Sequence, residues 1–504
     1  MKKKSVTKTL ETTLEKSEYF CENEILPDLR ARQRITSREE KSAYPTMIGL
    51  PSINPKSVIG KYFVEYASSG TLHGLNHFVA PNKHPIERFL ILLCVVGALV
   101  CLIVLSNIFW DRYQNNATVI VMDNNQDSFK IPRWSLFICM TQTIDPMKMT
   151  EVFKKYDIKD TPEAREFFTF LGTVTYENMM ETPIFDKVPA NKWLEILYDL
   201  KQDIGSNLLS EKPFDPYETW MVTEKGLCLV SRNVFAVYAT LNYWKNDNWT
   251  AIPVPDNLLY YNTSMDSLTE NFNTPYNATF TVSDPFELIT YDISMIKTQP
   301  KKIYRNTILA SQIQTKPNVQ ELSIHQRKCK FFSDGGLKTW PVYTKNMCII
   351  ECRMKVIQDN CNCRPHFARP IDGVNTCNAT QLRCIGNIRK KLFLYEYPFF
   401  CKCFPNCNVV SYQIRNIGET NIDQMDIKMN AIIMIIELPR IIYYRSLLYG
   451  FTDLLTSIGG AAGLFLGASV LSFVEVFYYG TIHLCFYMKR NRKSKKTTKM
   501  SKLI

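Results

Sequence analysis

Residues 458–475 read IGGAAGLFLGASVLSFVE, and this stretch decides the fold class of the chain. It places four glycines, two serines and one glutamate inside an apolar run that is long enough to cross a bilayer. Small and polar residues are costly in hydrocarbon unless the segment packs closely on its neighbours and faces water or ions. A passive anchor would need only Leu, Ile, Val and Phe. The composition therefore predicts a membrane segment that lines a pore.

Two segments of the chain are long and apolar enough to span a membrane. The first covers residues 89–110, and at about 1.5 Å per residue it crosses a hydrocarbon core of roughly 30 Å. Arg88 precedes it and Trp110 closes it, as expected for a charged flank and an interfacial aromatic residue. The second covers residues 447–487 and is longer than a simple crossing needs. Charged residues and prolines interrupt the sequence between them, so two spans are predicted around one large domain, residues 111–446.

Charge and glycosylation sequons orient these spans. Residues 1–88 carry 14 Lys/Arg against 10 Asp/Glu, and the tail from residue 489 carries eight Lys/Arg and no acid. Basic residues stay on the cytoplasmic side, so both ends are predicted to be cytoplasmic in a multi-pass plasma-membrane protein. The basic tail, residues 488–504, favours contact with anionic lipid, because a nucleic-acid site would need a folded basic face with aromatic residues. The five sequons all lie between the spans, at Asn116, Asn248, Asn262, Asn277 and Asn378.

Most cysteines, like the sequons, lie between the two predicted spans. Twelve of the 16 cysteines lie between the spans, and nine of these fall within 60 residues. An even set in an oxidising compartment predicts a disulfide framework, although the spacing alone leaves on the order of ten thousand pairings open. Zinc is the alternative, but Cys-x2-Cys pairs are absent and His366 is the one histidine nearby. Closely spaced pairs at both ends of the segment favour two antiparallel elements that are bridged rung by rung.

Three separated blocks carry a resemblance to a known family. His73-Gly74 stands before the first span, the cysteine block includes CNCRP at 361–365 and CKCFPNC at 401–407, and Gly467-Ala468-Ser469 lies in the second span. In order and topology these blocks resemble the degenerin/epithelial sodium channel (amiloride-sensitive sodium channel) family, which includes the acid-sensing and insect pickpocket channels. Arg327-Lys328-Cys329 is most similar to the pickpocket branch.

The resemblance implies a membrane α+β fold with two transmembrane helices per subunit and a trimeric assembly. The disulfide-rich ectodomain would be hand-like, with a palm sheet, a finger near 145–225 and a helical thumb at about 345–405. Palm strands would include residues 118–122, 409–414 and 431–438. The implied disulfides are Cys139–Cys228, Cys329–Cys407, Cys348–Cys403, Cys352–Cys401, Cys361–Cys384 and Cys363–Cys377.

Several residues of the second span have predicted roles in conduction. Gly467, Ala468 and Ser469 would form the selectivity filter, because the carbonyl groups of such a run can face an ion in place of water. The family resemblance implies that the helix breaks at this point. Gly459 and Gly463 recur with Gly467 every four residues and would form one bare helical stripe, for which close packing is the preferred interpretation at the first two. Glu475 lies one helical face below Ala468 and Ser472. It could snorkel to the inner interface, but concentrating cations at the inner mouth is the favoured interpretation.

The resemblance assigns gating roles to four further positions. Thr456 aligns with the degenerin position, where bulky side chains favour the open state. Ser457 stands where acid-sensing members carry Asp, and Asp453, one turn earlier, could partly substitute. His73 and Gly74 would belong to a re-entrant segment that lines the lower pore, with an ordinary loop as the alternative.

The predicted function is a sodium-selective, voltage-independent, amiloride-sensitive-type cation channel subunit, gated by an extracellular chemical or mechanical stimulus. It would act in a homo- or heterotrimer in contact with membrane lipid. We expect no enzyme activity, no metal site, no nucleic-acid partner and no cofactor, with Na+ as the permeant ion. The alternatives are a non-conducting accessory subunit and a two-span receptor or adhesion protein. The finger carries no readable ligand code, so the extracellular ligand is unknown.

Overall fold

The computed structural model describes residues 57–71, 74–80, 83–123, 130–203, 218–246, 260–262, 267–275, 277–393, 401–421, 429–437 and 442–490. The chain divides into two compact units. Of the described residues, those up to 103 and from 459 onward form the first unit, and those between 104 and 458 form the second.

Helices dominate the first unit. Helix α1 (Val58–Ser69) begins at Ser57, whose hydroxyl accepts a hydrogen bond from the backbone N–H of Gly60 at 3.0 Å. The short helix α2 (Leu75–Val79) precedes α3 (Pro85–Asn115). Near the other end of the chain, α11 (Phe451–Leu466) precedes α12 (Val470–Tyr478), which continues through a π-helical turn (Tyr479–His483) and on to Arg490.

Two helices of the described residues are long and apolar enough to cross a membrane, Pro85–Asn115 and Val470–Arg490. The first has 31 residues and is therefore about 46 Å long, which exceeds a hydrocarbon core of roughly 30 Å. It begins before and ends after the predicted span at 89–110. None of its side chains is buried within the described chain, and apolar residues such as Phe89, Leu93 and Ile103 are exposed. Such a surface suits lipid or neighbouring subunits.

A six-stranded mixed sheet forms the centre of the second unit, with the order β1-β13-β10-β12-β7 and with β11 paired to β10. Its strands are β1 (Thr118–Asp123), β7 (Ser267–Pro275), β10 (Lys302–Thr315), β11 (Val409–Asn421), β12 (Met429–Glu437) and β13 (Ile442–Leu447). Three of them, β1, β11 and β12, correspond to the predicted palm strands. Strand β10 runs antiparallel to β11 and parallel to β12 and β13. Buried and less buried residues alternate along it, as expected for a strand with one face on a core.

A second, five-stranded sheet has the order β4-β5-β3-β8-β9. Its strands are β3 (Ser135–Met140), β4 (Thr219–Thr223), β5 (Gly226–Ser231), β8 (Ala278–Ser283) and β9 (Ile296–Lys297). A separate pair consists of β2 (Lys130–Pro132) and β6 (Tyr260–Asn262). One apolar core draws on both sheets and buries Trp134, Phe280, Tyr304 and Ile432.

Helices of the predicted finger and thumb share another core. The region predicted as the finger contains α4 (Met149–Lys155), α5 (Pro162–Gly172) and α6 (Trp193–Leu200), and the region predicted as the thumb contains α9 (Lys345–Cys361) and α10 (Ala379–Phe393). Two shorter helices are α7 (Leu241–Asn246) and α8 (Ile324–Arg327). Side chains from both regions, among them Phe167, Trp193, Met354 and Leu382, are buried together. Burial of this apolar surface stabilises the contact between the two groups of helices.

The twelve cysteines of the second unit form six disulfides, and the pairs are those that the resemblance implied. Cys348 and Cys352 lie one turn apart on α9, and each has its Cα 5.8 Å from that of its partner, Cys403 and Cys401 respectively. Cys401 and Cys403 therefore follow the reverse chain direction of α9, but the segment that contains them is neither a helix nor a strand. The bridged elements are therefore one helix and one extended loop.

Candidate ion-conducting segment

The second apolar segment breaks where the filter was predicted. Helix α11 ends at Leu466, and Gly467 has a φ of 59°, in the left-handed region that glycine adopts without a steric penalty. The N–H of Gly467 donates to the carbonyl of Gly463 at 3.0 Å, and the N–H of Ala468 donates to the carbonyl of Ala462 at 3.3 Å. Ser469 then caps α12. The backbone of residues 467–469 thus lies between two helices.

This break corrects two expectations of helical spacing. Gly459 and Gly463 lie on α11, but Gly467 lies beyond its end, so the predicted stripe contains two glycines and not three. Ala468 likewise precedes α12, so it does not share a helical face with Glu475, whereas Ser472 does. A left-handed glycine ended the helix, and glycine spacing cannot distinguish this role from a packing role.

Three hydroxyl groups and one carboxylate form a contiguous polar network below the break. Ser469 and Ser472 cap each other: the N–H of Ser472 donates to the Ser469 hydroxyl at 3.3 Å, and the N–H of Ser469 donates to the Ser472 hydroxyl at 3.2 Å. The hydroxyl oxygens of Ser472 and Thr71 are 2.9 Å apart. Thr71 donates to Glu475 Oε2 from its hydroxyl at 2.5 Å and from its backbone N–H at 3.2 Å. The segment ahead of the first span therefore contacts the predicted pore carboxylate.

A second contact joins α1 to the π-helical turn. The Tyr62 hydroxyl donates to the carbonyl of Tyr479 at 2.6 Å, and it lies 3.0 Å from His483 Nδ1. Because a π-turn disturbs the regular i→i−4 bonding, a carbonyl there can accept a bond from outside the helix. The rings of Tyr62 and Tyr487 are 4.8 Å apart, and those of Tyr66 and Tyr479 are 5.1 Å apart. These contacts hold α1 against the end of the second span.

The predicted His-Gly pair is described at the glycine only, and His73 lies outside the described residues. Gly74 has a φ of 89° and precedes α2. A Cβ built at this position would lie 2.8 Å from Val95 Cγ2 on α3. Glycine is thus required here both for its backbone conformation and for a close approach to the first span.

The predicted gating residues lie near the start of α11. Asp453 Oδ2 accepts a hydrogen bond from the N–H of Gly450 at 2.8 Å, as a capping carboxylate does. The Thr456 hydroxyl donates to the carbonyl of Thr452 at 2.9 Å, and its side chain is exposed within the single chain. Ser457 follows on the same helix and is half-buried.

Sequence reasoning missed an ionic cluster around the buried Arg353 of α9. Arg353 on α9 forms an ion pair with the buried Glu224 and donates to Asp292 Oδ2 at 2.6 Å. Glu224 also accepts from the Tyr176 hydroxyl at 3.0 Å. These charges lie on separate segments, so no local pattern could have paired them. The cluster joins α9 to the segments that carry Glu224 and Asp292.

A second unpredicted group lies where α9 begins. Glu287 accepts from the backbone N–H of Asn346 at 3.2 Å and from Asn406 Nδ2 at 2.6 Å. Burial raises the pKa of Glu287 to about 7, and burial raises the pKa of nearby Asp284 to about 6. The side chain of Asn406 in turn accepts from the N–H of Lys345 at 2.8 Å. A buried carboxyl, Asp284, and a half-buried one, Glu287, thus lie close to the start of α9.

Four of the five predicted glycosylation positions lie among the described residues, and three of these four have exposed side chains. Asn116, Asn277 and Asn378 are exposed. Asn262 lies in β6, and Asn248 lies outside the described residues. The three exposed side chains are accessible to a modifying enzyme.

Comparisons with known proteins identify the family of the chain. Residues 66–479 match the family model described as amiloride-sensitive sodium channel. Pickpocket protein 19 of Drosophila melanogaster is 22% identical in an alignment of 492 positions that includes gaps and covers 85% of this chain and 92% of that protein. Sodium channel protein Nach of Drosophila virilis is 28% identical over 33% of this chain and 46% of its own length. Human acid-sensing ion channel 2 is 28% identical over 29% of this chain and 32% of its own. The chain therefore belongs to the amiloride-sensitive sodium channel family, and it is a cation-channel subunit and not an enzyme.

Proposed function

We propose that the chain is a sodium-selective, voltage-independent channel subunit of the amiloride-sensitive type, and that three such subunits surround one pore. Family channels are oligomeric and reside in the plasma membrane, with no cofactor requirement. The single observation that carries the proposal is the interruption of the second span at Gly467, between α11 and α12. A passive anchor has no need of a break, because an unbroken helix satisfies its own backbone in lipid.

The interruption supports a filter formed by residues 467–469. Backbone carbonyls that leave a helix can coordinate a cation in place of water. Three copies around an axis would form a ring of such carbonyls. Ser469 adds a hydroxyl at the N-terminus of α12, where it also fixes the start of the next helix.

Glu475 is proposed to attract cations at the inner mouth. An acid within a membrane helix is functional by default because burying its charge in hydrocarbon is costly. Its side chain is half-buried and accepts a hydrogen bond from Thr71, so the carboxylate has a polar partner within the chain and need not extend to the membrane interface. Both ends of the chain are proposed to be cytoplasmic, which places this residue on the cytoplasmic side of the filter.

The ectodomain is proposed to convert an extracellular chemical or mechanical stimulus into pore opening. Arg353 and the shared apolar core join finger to thumb, and disulfides stiffen the thumb. Rigidity matters because an element that unfolds locally transmits little free energy. Thr456, Ser457 and Asp453 are proposed as outer pore or gate positions, with His73 and Gly74 at the inner end.

The test is to express the chain alone and record current in sodium solutions with and without an amiloride-type blocker. A blockable sodium current that does not vary in gating with voltage supports the proposal. Delivery to the surface without current, restored by a related subunit, would instead identify an accessory subunit. Surface delivery without current in any combination would favour a receptor or adhesion protein.

A further inference from the structure

A cleft with a volume of about 520 Å³ lies between the β2–β6 pair and the adjacent ends of β10 and β11. This volume is in the range of clefts that bind small molecules. Three aromatic rings line it: Tyr260 on β6, which is 46% exposed, and Phe286 and Phe332, whose rings are stacked with their centroids 5.5 Å apart. The cleft therefore offers aromatic surface to an occupant.

Gln312 on β10 lines the cleft and has a side-chain oxygen that lacks a donor. Its side chain is only 7% exposed, and its Nε2 donates to the carbonyl of Lys130 at 3.4 Å. The opposite orientation of the amide would place two oxygens against each other, so this contact leaves Oε1 at the other end. Among the described residues, no group donates to this buried oxygen. Because an unpaired buried acceptor is costly, a donor on a bound molecule would stabilise the site.

A carboxylate lies beside this oxygen, one strand away. Gln312 pairs with Val410 across β10 and β11, and the N–H of Val410 donates to Asp284 Oδ2 at 2.9 Å. The other oxygen of Asp284 accepts from the N–H of Phe286 at 2.9 Å. Each carboxylate oxygen can accept a second hydrogen bond. Since neighbouring strands are about 4.8 Å apart, one small molecule can reach both Gln312 and Asp284.

The charges of the lining favour a neutral ligand. Among the described residues, Lys130 and Asp284 are the charged members of the lining, and they have opposite signs. A cation would be opposed by Lys130 and an anion by Asp284, whereas a neutral molecule meets neither repulsion. Asn408 adds a donor, because its Oδ1 accepts from the N–H of Thr315 at 2.8 Å and its amide nitrogen is the end left for a ligand. Donors, acceptors and aromatic rings together suit a sugar, which has hydroxyl groups around its ring and C–H groups on its faces.

We propose that this cleft binds a neutral polyhydroxylated ligand, a sugar ring, which donates hydroxyl protons to Gln312 Oε1 and Asp284 and lies against the aromatic rings. Two sources supply this chemistry. One is a free sugar, and the other is a glycan of the chain itself, since the sequon at Asn262 begins two positions after Tyr260. The proposal concerns binding alone and does not depend on the proposed channel function.

The test uses the full chain in phosphatidylcholine nanodiscs, so that no sugar-based detergent competes. Saturation-transfer NMR titrations with glucose, galactose, mannose and N-acetylglucosamine give dissociation constants before and after enzymatic removal of N-glycans. Saturable binding of at least one of these sugars in both states supports the proposal and identifies a free sugar as the occupant. Binding only after glycan removal supports it and identifies the chain's own glycan. No binding in either state would overturn the proposal, as would glucosamine, the cationic analogue, binding more than tenfold more tightly than glucose.

Variants then locate the bound sugar. Gln312→Met should weaken binding by about threefold to tenfold, the usual effect of one lost hydrogen bond, without lowering the melting temperature, because it removes an unpaired acceptor. Tyr260→Ala should also weaken binding, and its exposed ring makes this change tolerable for the fold. The matched control is Asn306→Leu on the same strand as Gln312, because Asn306 is fully buried and unpaired among the described residues but does not line the cleft. It should leave sugar binding unchanged. Wild-type affinity in both Gln312→Met and Tyr260→Ala would overturn the proposal, whether or not the melting temperature falls.

Discussion

Removing the bridge between Cys348 and Cys403 should lower the free energy of unfolding of the predicted thumb. The size of this loss depends on whether the neighbouring bridge, Cys352–Cys401, is intact. The sequence separation of Cys348 and Cys403 is 55, but the Cys352–Cys401 bridge lies just inside it. With that inner bridge intact, the outer one closes a ring of only about eight residues. Chain entropy then assigns about 2.5 kcal/mol to it. The inner bridge closes the same ring when the outer one is intact. Removing either bridge alone should therefore lower the free energy of unfolding by about the same amount.

Removing both bridges should cost more than the sum of the two single losses. Without the inner bridge, Cys348–Cys403 closes a ring of about 25 residues with the next enclosing bridge, Cys329–Cys407. Losing this last bridge therefore costs about 3.5 kcal/mol more. The double loss is therefore about 6 kcal/mol, compared with about 5 kcal/mol for two independent bridges.

Amide hydrogen exchange of α9 measures this directly. A loss of 2.5 kcal/mol should accelerate exchange about 70-fold in each single-bridge variant, with both partners changed to Ser. Cys139→Ser/Cys228→Ser, which removes the bridge between β3 and β5, is the comparison variant. It should affect exchange in α9 less, because these cysteines reach α9 only through the apolar core that they share with Met347. Stimulus-evoked opening should weaken, while ion preference stays the same. Unchanged exchange in α9, or a single removal as large as the double, would refute this reasoning.

Three further outcomes follow from particular residues. A larger side chain in Thr456→Phe should raise resting current if this position is crowded in the closed trimer, and resting current that does not change with side-chain size would exclude that role. Because burial raises the pKa of Glu287 to about 7, the carboxyl group binds a proton more tightly in the folded ectodomain than in the unfolded chain. The free energy of unfolding should therefore fall by about 3 kcal/mol as pH rises from about 5 through 7. Melting curves of Glu287→Gln should lack this part of the pH dependence, and a retained slope would contradict it. Arg353→Met should destabilise the ectodomain by about 3–5 kcal/mol because it leaves Glu224 buried and unpaired, and adding Glu224→Gln should recover most of that loss in the same melting assay.

Features that depend on local composition could be predicted from the sequence. The two apolar segments leave a local pattern in hydropathy, whereas the strands at 118–122, 409–414 and 431–438 and the break near Gly467 were expected from the family resemblance. The disulfide pairs needed the family resemblance, because spacing alone allows too many combinations.

Features that depend on contacts between distant segments could not be predicted. Thr71 and Glu475 are 404 positions apart, and an ordinary Ser/Thr residue gives no sign of its partner. Glu287 resembles a surface carboxylate in the sequence, and its raised pKa results from tertiary burial. The stripe through Gly467 was wrong for a related reason, since the same residue type can either continue a packed helix or end it.

The most direct test of the proposed filter is the permeability ratio of sodium over potassium in Gly467→Cys and Ser469→Cys channels. Gly97→Cys is the matched control, because a Cβ there meets no atom within 4 Å in the first span. We predict that the two filter variants reach the surface but lose current or change the ratio, since any side chain at Gly467 strains a left-handed backbone. The Gly97 variant should keep the wild-type ratio. A wild-type ratio in both filter variants at normal surface level would contradict the assignment of residues 467–469 as the ion-selecting part of the pore.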